Sequence, residues 1–185
     1  MKKIIVGITG ASGSIYAKLL IEKLKEYQEQ VEEVAIIFTK NGKDVFSFET
    51  NSTIEVSGKF RIADNNNLFD ATASGSASYD SMIIVPCSMG TLGRIASGIA
   101  NDLLARAADV ILKEKKQLIL VTRETPLNLI HIKNMKTITK AGGLILPASP
   151  FFYHKPSTID ELINPFLERV LSYAGLETNS YKWGG

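Results

Sequence analysis

The chain has 185 residues, 45% of them hydrophobic, enough for one domain with a sizeable core. Its formal charge of +2, with no Lys/Arg block, leaves no basic footprint for nucleic acid, and no apolar run approaches the ~20 residues of a membrane span. One cysteine excludes an intrachain disulfide and suits a reducing cytoplasm, and two histidines beside it are too few for a His/Cys metal site.

MKKIIVGITGASGS opens the chain as a strand over Lys3–Thr9 rather than a signal peptide, because Gly-Ala-Ser-Gly breaks the apolar run at once. Gly10–Gly13 reads as a tight turn. Ser14–Tyr27 reads as a helix with Ile15, Leu19, Leu20 and Leu24 on its apolar face. Val34–Phe38 is a second strand ending at Thr39, and a helix follows over Asn41–Phe48, closed by Glu49. Asn51–Ser78, with its Asn65–Asn67 run and ASGSAS, is expected to be an irregular connection, of a length often functional. Met82–Val85 reads as a strand buried on both faces and ended by Pro86. Thr91–Lys113 reads as a helix breaking near Gly98, rich in small residues and so placed against another backbone. Leu118–Thr122 is another buried strand. Pro126 is expected to open a helix over Leu127–Ala141, which Gly142 and Gly143 end before a last strand, Leu144–Pro147. Ser157 with Asp160 predicts a capping box for a final helix running to Ala174, with Pro165 inside it and a tail over 176–185. Strands alternating with helices predict one three-layer, mainly parallel α/β domain, Rossmann-like or flavodoxin-like, spanning residues 1–185.

In such a sheet ligands bind at the carboxyl ends of the strands, where helix N-termini present free N–H groups. The Cys87–Thr91 turn, with Ser88, Met89, Gly90 and Thr91, suits that role, although any strand-to-helix turn favours such residues. Gly7, Gly10 and Gly13 are spaced GxxGxxG. This is not the dinucleotide fingerprint, and Thr39 and Lys40 stand where an NAD site needs an acid. A phosphate or similar group is expected near Ser12. Gly10–Ser14 is not a hydrolase elbow. Cys87 has no base nearby to activate it and reads as a small buried residue. His131, among apolar neighbours, reads as a helical residue with a satisfied hydrogen bond, while His154 sits in a loop at the ligand edge. Arg123 and Glu124 follow a buried strand directly; two charges there serve a ligand or each other. Lys113 by default closes a solvated helix end, and Arg169 can equally be a plain surface arginine.

Taken together, GITGASGSIYA, the SFET ending at Thr50, ASGS at Ala73–Ser76, PCSMGTLGRIASG, NDLLARAADVILKEKK, LVTRETPLNLIHIKNM, LPASPFFYHKP and the terminal KWGG resemble the UbiX family of flavin prenyltransferases over essentially the whole chain. Leu68 and Phe69 stand where some members carry a tryptophan, and Lys182 precedes Trp183 where an arginine is common. The resemblance implies joining a dimethylallyl group from dimethylallyl monophosphate to N5 and C6 of reduced FMN without a metal. The product, prenylated FMN, is the cofactor of a UbiD-type decarboxylase. It implies that Gly10, Ala11, Ser12, Thr39, Ser88, Met89, Gly90, Thr91 and Arg123 hold FMN. Lys113, Arg123, Glu124, Tyr153 and Arg169 would surround the prenyl phosphate, some of them supplied across the subunits of a dodecamer. Ser12, Glu49 and Glu124 would move protons. Two other readings stay open: an FMN-dependent cysteine decarboxylase of the same fold, disfavoured because no histidine precedes His131, and a flavin carrier without catalysis.

Overall fold

The computed structural model describes residues 1–179; the predicted tail is seen as far as Asn179, and the expectations for Lys182 and Trp183 lie outside the described residues. Six strands, β1 (Lys2–Ile8), β2 (Val31–Phe38), β3 (Phe60–Ala63), β4 (Ser81–Cys87), β5 (Gln117–Thr122) and β6 (Leu144–Pro147), pair in parallel in the order β3-β2-β1-β4-β5-β6. The α/β class predicted from the alternation of elements is the one observed.

The helices are α1 (Ser14–Glu26), α2 (Lys40–Thr50), α3 (Met89–Ala96), α4 (Leu103–Lys113), α5 (Leu129–Lys140) and α6 (Ile159–Tyr173). Strand side chains alternate between faces, so each face builds its own core. Ile4, Val6, Ile8 and Ile36 pack with residues of α1 and α6 such as Leu20, Leu24, Leu167 and Leu171. Ile5, Ile37, Met82 and Ile84 pack on the other face with Leu92, Leu104 and Ile111 of α3 and α4. Of the small residues expected to admit close packing, Ala105, Ala107 and Ala108 are buried, whereas Ser97 and Gly98 are exposed at the break between the two helices.

Four local expectations need correction. The 51–78 connection contains the edge strand β3 and two short 3-10 turns, Ala71–Ala73 and Gly75–Ala77. Pro86 does not end its strand: β4 runs on to Cys87, and the proline's missing N–H is absorbed by a register shift against β5 between Ile84 and Cys87. Pro126 does not open a helix; α5 starts at Leu129 because Asn128 and His131 exchange hydrogen bonds in a capping box. The last helix is capped by Thr158, not Ser157. Thr158 Oγ1 accepts the Glu161 N–H at 3.1 Å, and the Glu161 carboxylate takes the N–H and hydroxyl of Ser157, both at 2.7 Å. The predicted break near Gly98 is found between α3 and α4, with Gly98 at φ 69°.

The irregular connection is held to the sheet by Arg61 of β3. Its guanidinium donates to both Asp70 carboxylate oxygens at 2.7 and 3.0 Å and to Glu33 at 2.5 Å, while Tyr79 donates to Glu33 at 2.8 Å. Partial burial disfavours the charge on Asp70, but the hydrogen bonds from Arg61 and Thr72 outweigh it and bring its pKa down to about 2. A carboxyl group depressed in the folded state stabilises fully above its unfolded value near 4 and loses that contribution as pH falls from there to about 2. After solvent screening the loss is about 1–2 kcal/mol. Asp70→Asn is expected to remove that share of the acid sensitivity, read as a flatter midpoint-against-pH curve in urea unfolding between those limits.

Candidate active site at the carboxyl edge

Strand order reverses between β1 and β4, so the loops after these two strands diverge to opposite faces and leave a crevice. Thr9 ties its two walls together. Its buried hydroxyl donates to the Pro86 carbonyl at 2.6 Å and accepts the Ser88 N–H at 2.9 Å. Sequence reasoning gave Thr9 no role; the only signal was a hydroxyl at a strand end directly before glycine.

On one side stand Gly10, Ala11 and Ser12, followed by Gly13 at φ 107° as the N-cap of α1. A side chain at Gly10 would strike Asn41 Cβ at 2.6 Å, so α2 lies tight against this turn. On the other side Ser88 caps α3, accepting the Thr91 N–H at 3.3 Å, with Met89, Gly90 and Thr91 in the first turn. Nothing lies within 4 Å of a side chain built at Gly90. Thr39 caps α2, its hydroxyl taking the Gly42 N–H at 3.0 Å.

Glu49 lies within α2 rather than closing it, and reaches back to α1. One carboxylate oxygen accepts the N–H groups of Gly13 and Ser14 at 2.9 and 2.7 Å. Partial burial pushes its pKa up, but the hydrogen bonds from Ser12, Ser14 and Gly13 prevail and hold it below the usual carboxylate range. The start of α1, where a ligand anion was expected, is thus already occupied by a side-chain anion. Glu49→Ala is expected to cost about 1 kcal/mol in urea unfolding, the worth of a helix cap.

Arg123 and Glu124 follow β5. The Arg123 N–H donates to the Cys87 carbonyl at 3.2 Å, and its Cγ lies 4.0 Å from where a Gly13 side chain would begin, so the residue spans both walls of the crevice. Its guanidinium has no ion-pair partner among the described residues. Glu124 does not pair with it, its Oε1 accepting the Thr125 N–H at 3.0 Å instead. Of the two readings of this charge pair, the structural ion pair is therefore excluded. Tyr153, in the loop after β6, is exposed on the same edge.

Two predicted residues are not brought here within one chain. Lys113 ends α4 just before β5 begins, at the amino edge of the sheet, where it contacts Glu114 beside Gly75. Arg169 lies ten residues beyond the start of α6, about 15 Å down that helix, and donates to Tyr173 at 3.2 Å. Cys87 is fully buried and burial pushes its thiol up to about 12, so it is protonated near neutral pH and no nucleophile, as the sequence suggested. His131 has the hydrogen bond expected of it, and His154 Nε2 lies 2.8 Å from the Glu161 carbonyl.

A sheet of this order, with a glycine turn and an unpaired arginine at its switch point, is the frame of a flavin-binding α/β protein, and the Flavoprotein family model matches residues 1–167. The flavin prenyltransferase UbiX of Methanocaldococcus jannaschii is 40% identical over 185 residues, covering 98% of both chains. The solved AnUbiX in complex with FMN and dimethylallyl pyrophosphate superposes with a TM-score of 0.91 at 35% identity, covering 100% of this chain and 98% of that one. A dodecameric FMN-dependent UbiX-like decarboxylase from Escherichia coli O157:H7 superposes at 0.90 with 36% identity, covering 99% and 100%. Within the flavoproteins, this chain belongs to the UbiX flavin prenyltransferase family.

Proposed function

We propose that the chain joins a dimethylallyl group from dimethylallyl monophosphate to N5 and C6 of reduced FMN, and that the prenylated flavin serves a UbiD-type decarboxylase. The observation that carries this reading is Arg123, whose Cγ lies 4.0 Å from where a Gly13 side chain would begin at the switch point and whose guanidinium has no ion-pair partner among the described residues. Family membership, and the FMN and dimethylallyl pyrophosphate held by AnUbiX, support it. The residues present fit a flavin: nothing lies within 4 Å of a side chain built at Gly90, so the crevice is open on that side, and beside it the Ser88 hydroxyl donates to that of Thr91 at 3.2 Å.

When bound, reduced flavin supplies the electron-rich nitrogen and carbon that accept the prenyl carbon. The chain's part is to let an allylic ester part from phosphate. Arg123 neutralises the charge that grows on the departing oxygens, and Tyr153 donates a hydrogen bond. Glu124 hands over a proton. Glu49, with Ser12 beside it, is held ionised and is in the state to receive one. Lys113 and Arg169 act in crevices of neighbouring copies, completing sites that a single copy leaves open. Leu127, Leu129, Ile130 and Ile132 are exposed at and around α5, an apolar surface suited to a homo-oligomer, for which a dodecamer is the proposed size. No described helix is long and apolar enough to cross a membrane, and we place the reaction in the cytoplasm.

The test is an anaerobic incubation with FMN, a reductant and dimethylallyl monophosphate. A flavin heavier by one prenyl unit is expected; an unaltered flavin contradicts the reading and favours a carrier. Glu124→Gln protein working at the parent rate would remove the acid role.

A further inference from the structure

In an α-helix the carbonyl of residue i accepts the N–H of residue i+4. For Glu161 in the first turn of α6 that donor would be residue 165, which is Pro165 and has no N–H. The freed carbonyl is taken from outside the helix, where His154 Nε2 lies 2.8 Å from it. A carbonyl oxygen only accepts, so Nε2 carries the hydrogen and donates.

His154 belongs to the loop between β6 and α6, and the residue before it is Tyr153. The two form the middle of a tight turn in which the Lys155 N–H donates to the Phe152 carbonyl at 3.0 Å. Lys155 itself stands at φ 52°, a left-handed conformation that a residue other than glycine holds only where its surroundings impose it. Those surroundings are the first turn of α6. Glu161 grips the loop a second time through its carboxylate, which accepts the N–H and the hydroxyl of Ser157, both at 2.7 Å. From the other side the Phe151 ring meets the His154 ring edge to face at 5.8 Å and the Tyr153 ring at 6.2 Å. Tyr153, exposed as it is, thus projects from a turn fastened to a helix.

We propose that His154 is a positioning residue for Tyr153: its bond to the carbonyl freed by Pro165 fastens the Phe152–Lys155 turn to α6 and so fixes the place of Tyr153 at the ligand edge of the sheet. The inference rests on the prenyl-transfer reading above, in which Tyr153 donates to the departing phosphate. It gives a histidine and a helix-interior proline, far apart in their own chemistry, one joint part.

The rate of prenyl transfer, the FMN affinity and the thermal midpoint are measured for five variants. His154→Leu is expected to lower kcat about 10- to 100-fold, as Tyr153→Phe does, with FMN affinity unchanged. His154→Gln, whose side-chain amide can donate in place of Nε2, should restore most of the rate. Tyr153→Phe/His154→Leu should be no slower than Tyr153→Phe, because the histidine acts through that tyrosine. Adding Pro165→Ala to His154→Leu returns an N–H to the Glu161 carbonyl, so the midpoint should recover while the rate stays low. The parent rate in His154→Leu overturns the proposal. So do losses that multiply in the Tyr153 double variant, or a glutamine that restores nothing. A rate that returns together with the midpoint when Pro165 is replaced also overturns it, since His154 would then serve the carbonyl alone. The parent rate in Tyr153→Phe removes the role of Tyr153 and the proposal with it, whereas a parent protein that transfers no prenyl group sinks the underlying reading itself.

Discussion

Arg123→Ala is expected to slow prenyl transfer by about 10²–10³-fold, the loss that follows removal of one preorganised charge-stabilising group from a reacting centre. The expectation follows from what the side chain lacks. An arginine beside a glutamate ordinarily spends its charge on that neighbour, but Glu124 binds the Thr125 N–H and no described residue pairs with the guanidinium. Its N–H is tied to the Cys87 carbonyl and its Cγ lies 4.0 Å from where a Gly13 side chain would begin, so the residue stands at the crevice with its charge unspent. Since the side chain makes no structural ion pair, the thermal midpoint should hardly move, as for other surface substitutions. Arg123→Lys should recover part of the rate, because it keeps the charge but loses the planar fork. A variant that falls in stability and activity together would show a structural arginine instead.

Gly42→Ala is expected to be the most destabilising small substitution at the site. A Cβ there would lie 2.3 Å from the Ile8 carbonyl oxygen and 2.8 Å from its carbon, both backbone atoms of the central strand. No rotamer change relieves such a contact, so α2 must lift from the end of β1. Overpacking against backbone costs about 3 kcal/mol or more, lowering the thermal midpoint by about 10 °C in a chain of this size. Because α2 is capped by Thr39 and carries Glu49, flavin binding should fail with it. Gly90→Ala is the informative contrast. That position is open and helical, so stability should hold or rise slightly, while the new methyl group intrudes on the crevice and weakens flavin binding. Thermal melts of the two variants side by side separate glycine needed for packing from glycine needed for access.

Much of this was legible in the amino-acid order. The buried runs that became β1, β4 and β5, and the glycines after α5, have periodicities that tertiary context does not override. The edge strand β3 was not legible, because four residues, with Ile62 half exposed, carry too short an alternation to stand out. Pro86 misled because a proline rarely lies within a central strand, and only the register shift beside it shows how this one is accommodated. At the site, the loops after β1, β4 and β5 could be placed because parallel sheets bind ligands at one edge. The grip of Glu49 on Gly13 and Ser14 spans 36 and 35 residues and has no local signature. Lys113 and Arg169 sit in matching motifs, yet nothing in their spacing says that their own chain carries them away from Arg123.

That separation permits the most direct test of a crevice shared between copies. Arg123→Ala and Lys113→Ala proteins are each expected to be nearly inactive alone. Co-expressed and allowed to assemble at random, they should regain about a quarter of the parent activity, since one crevice in four draws both intact residues from different copies. Mixed assemblies no more active than either variant would contradict the account, and would place both residues in the same copy's site.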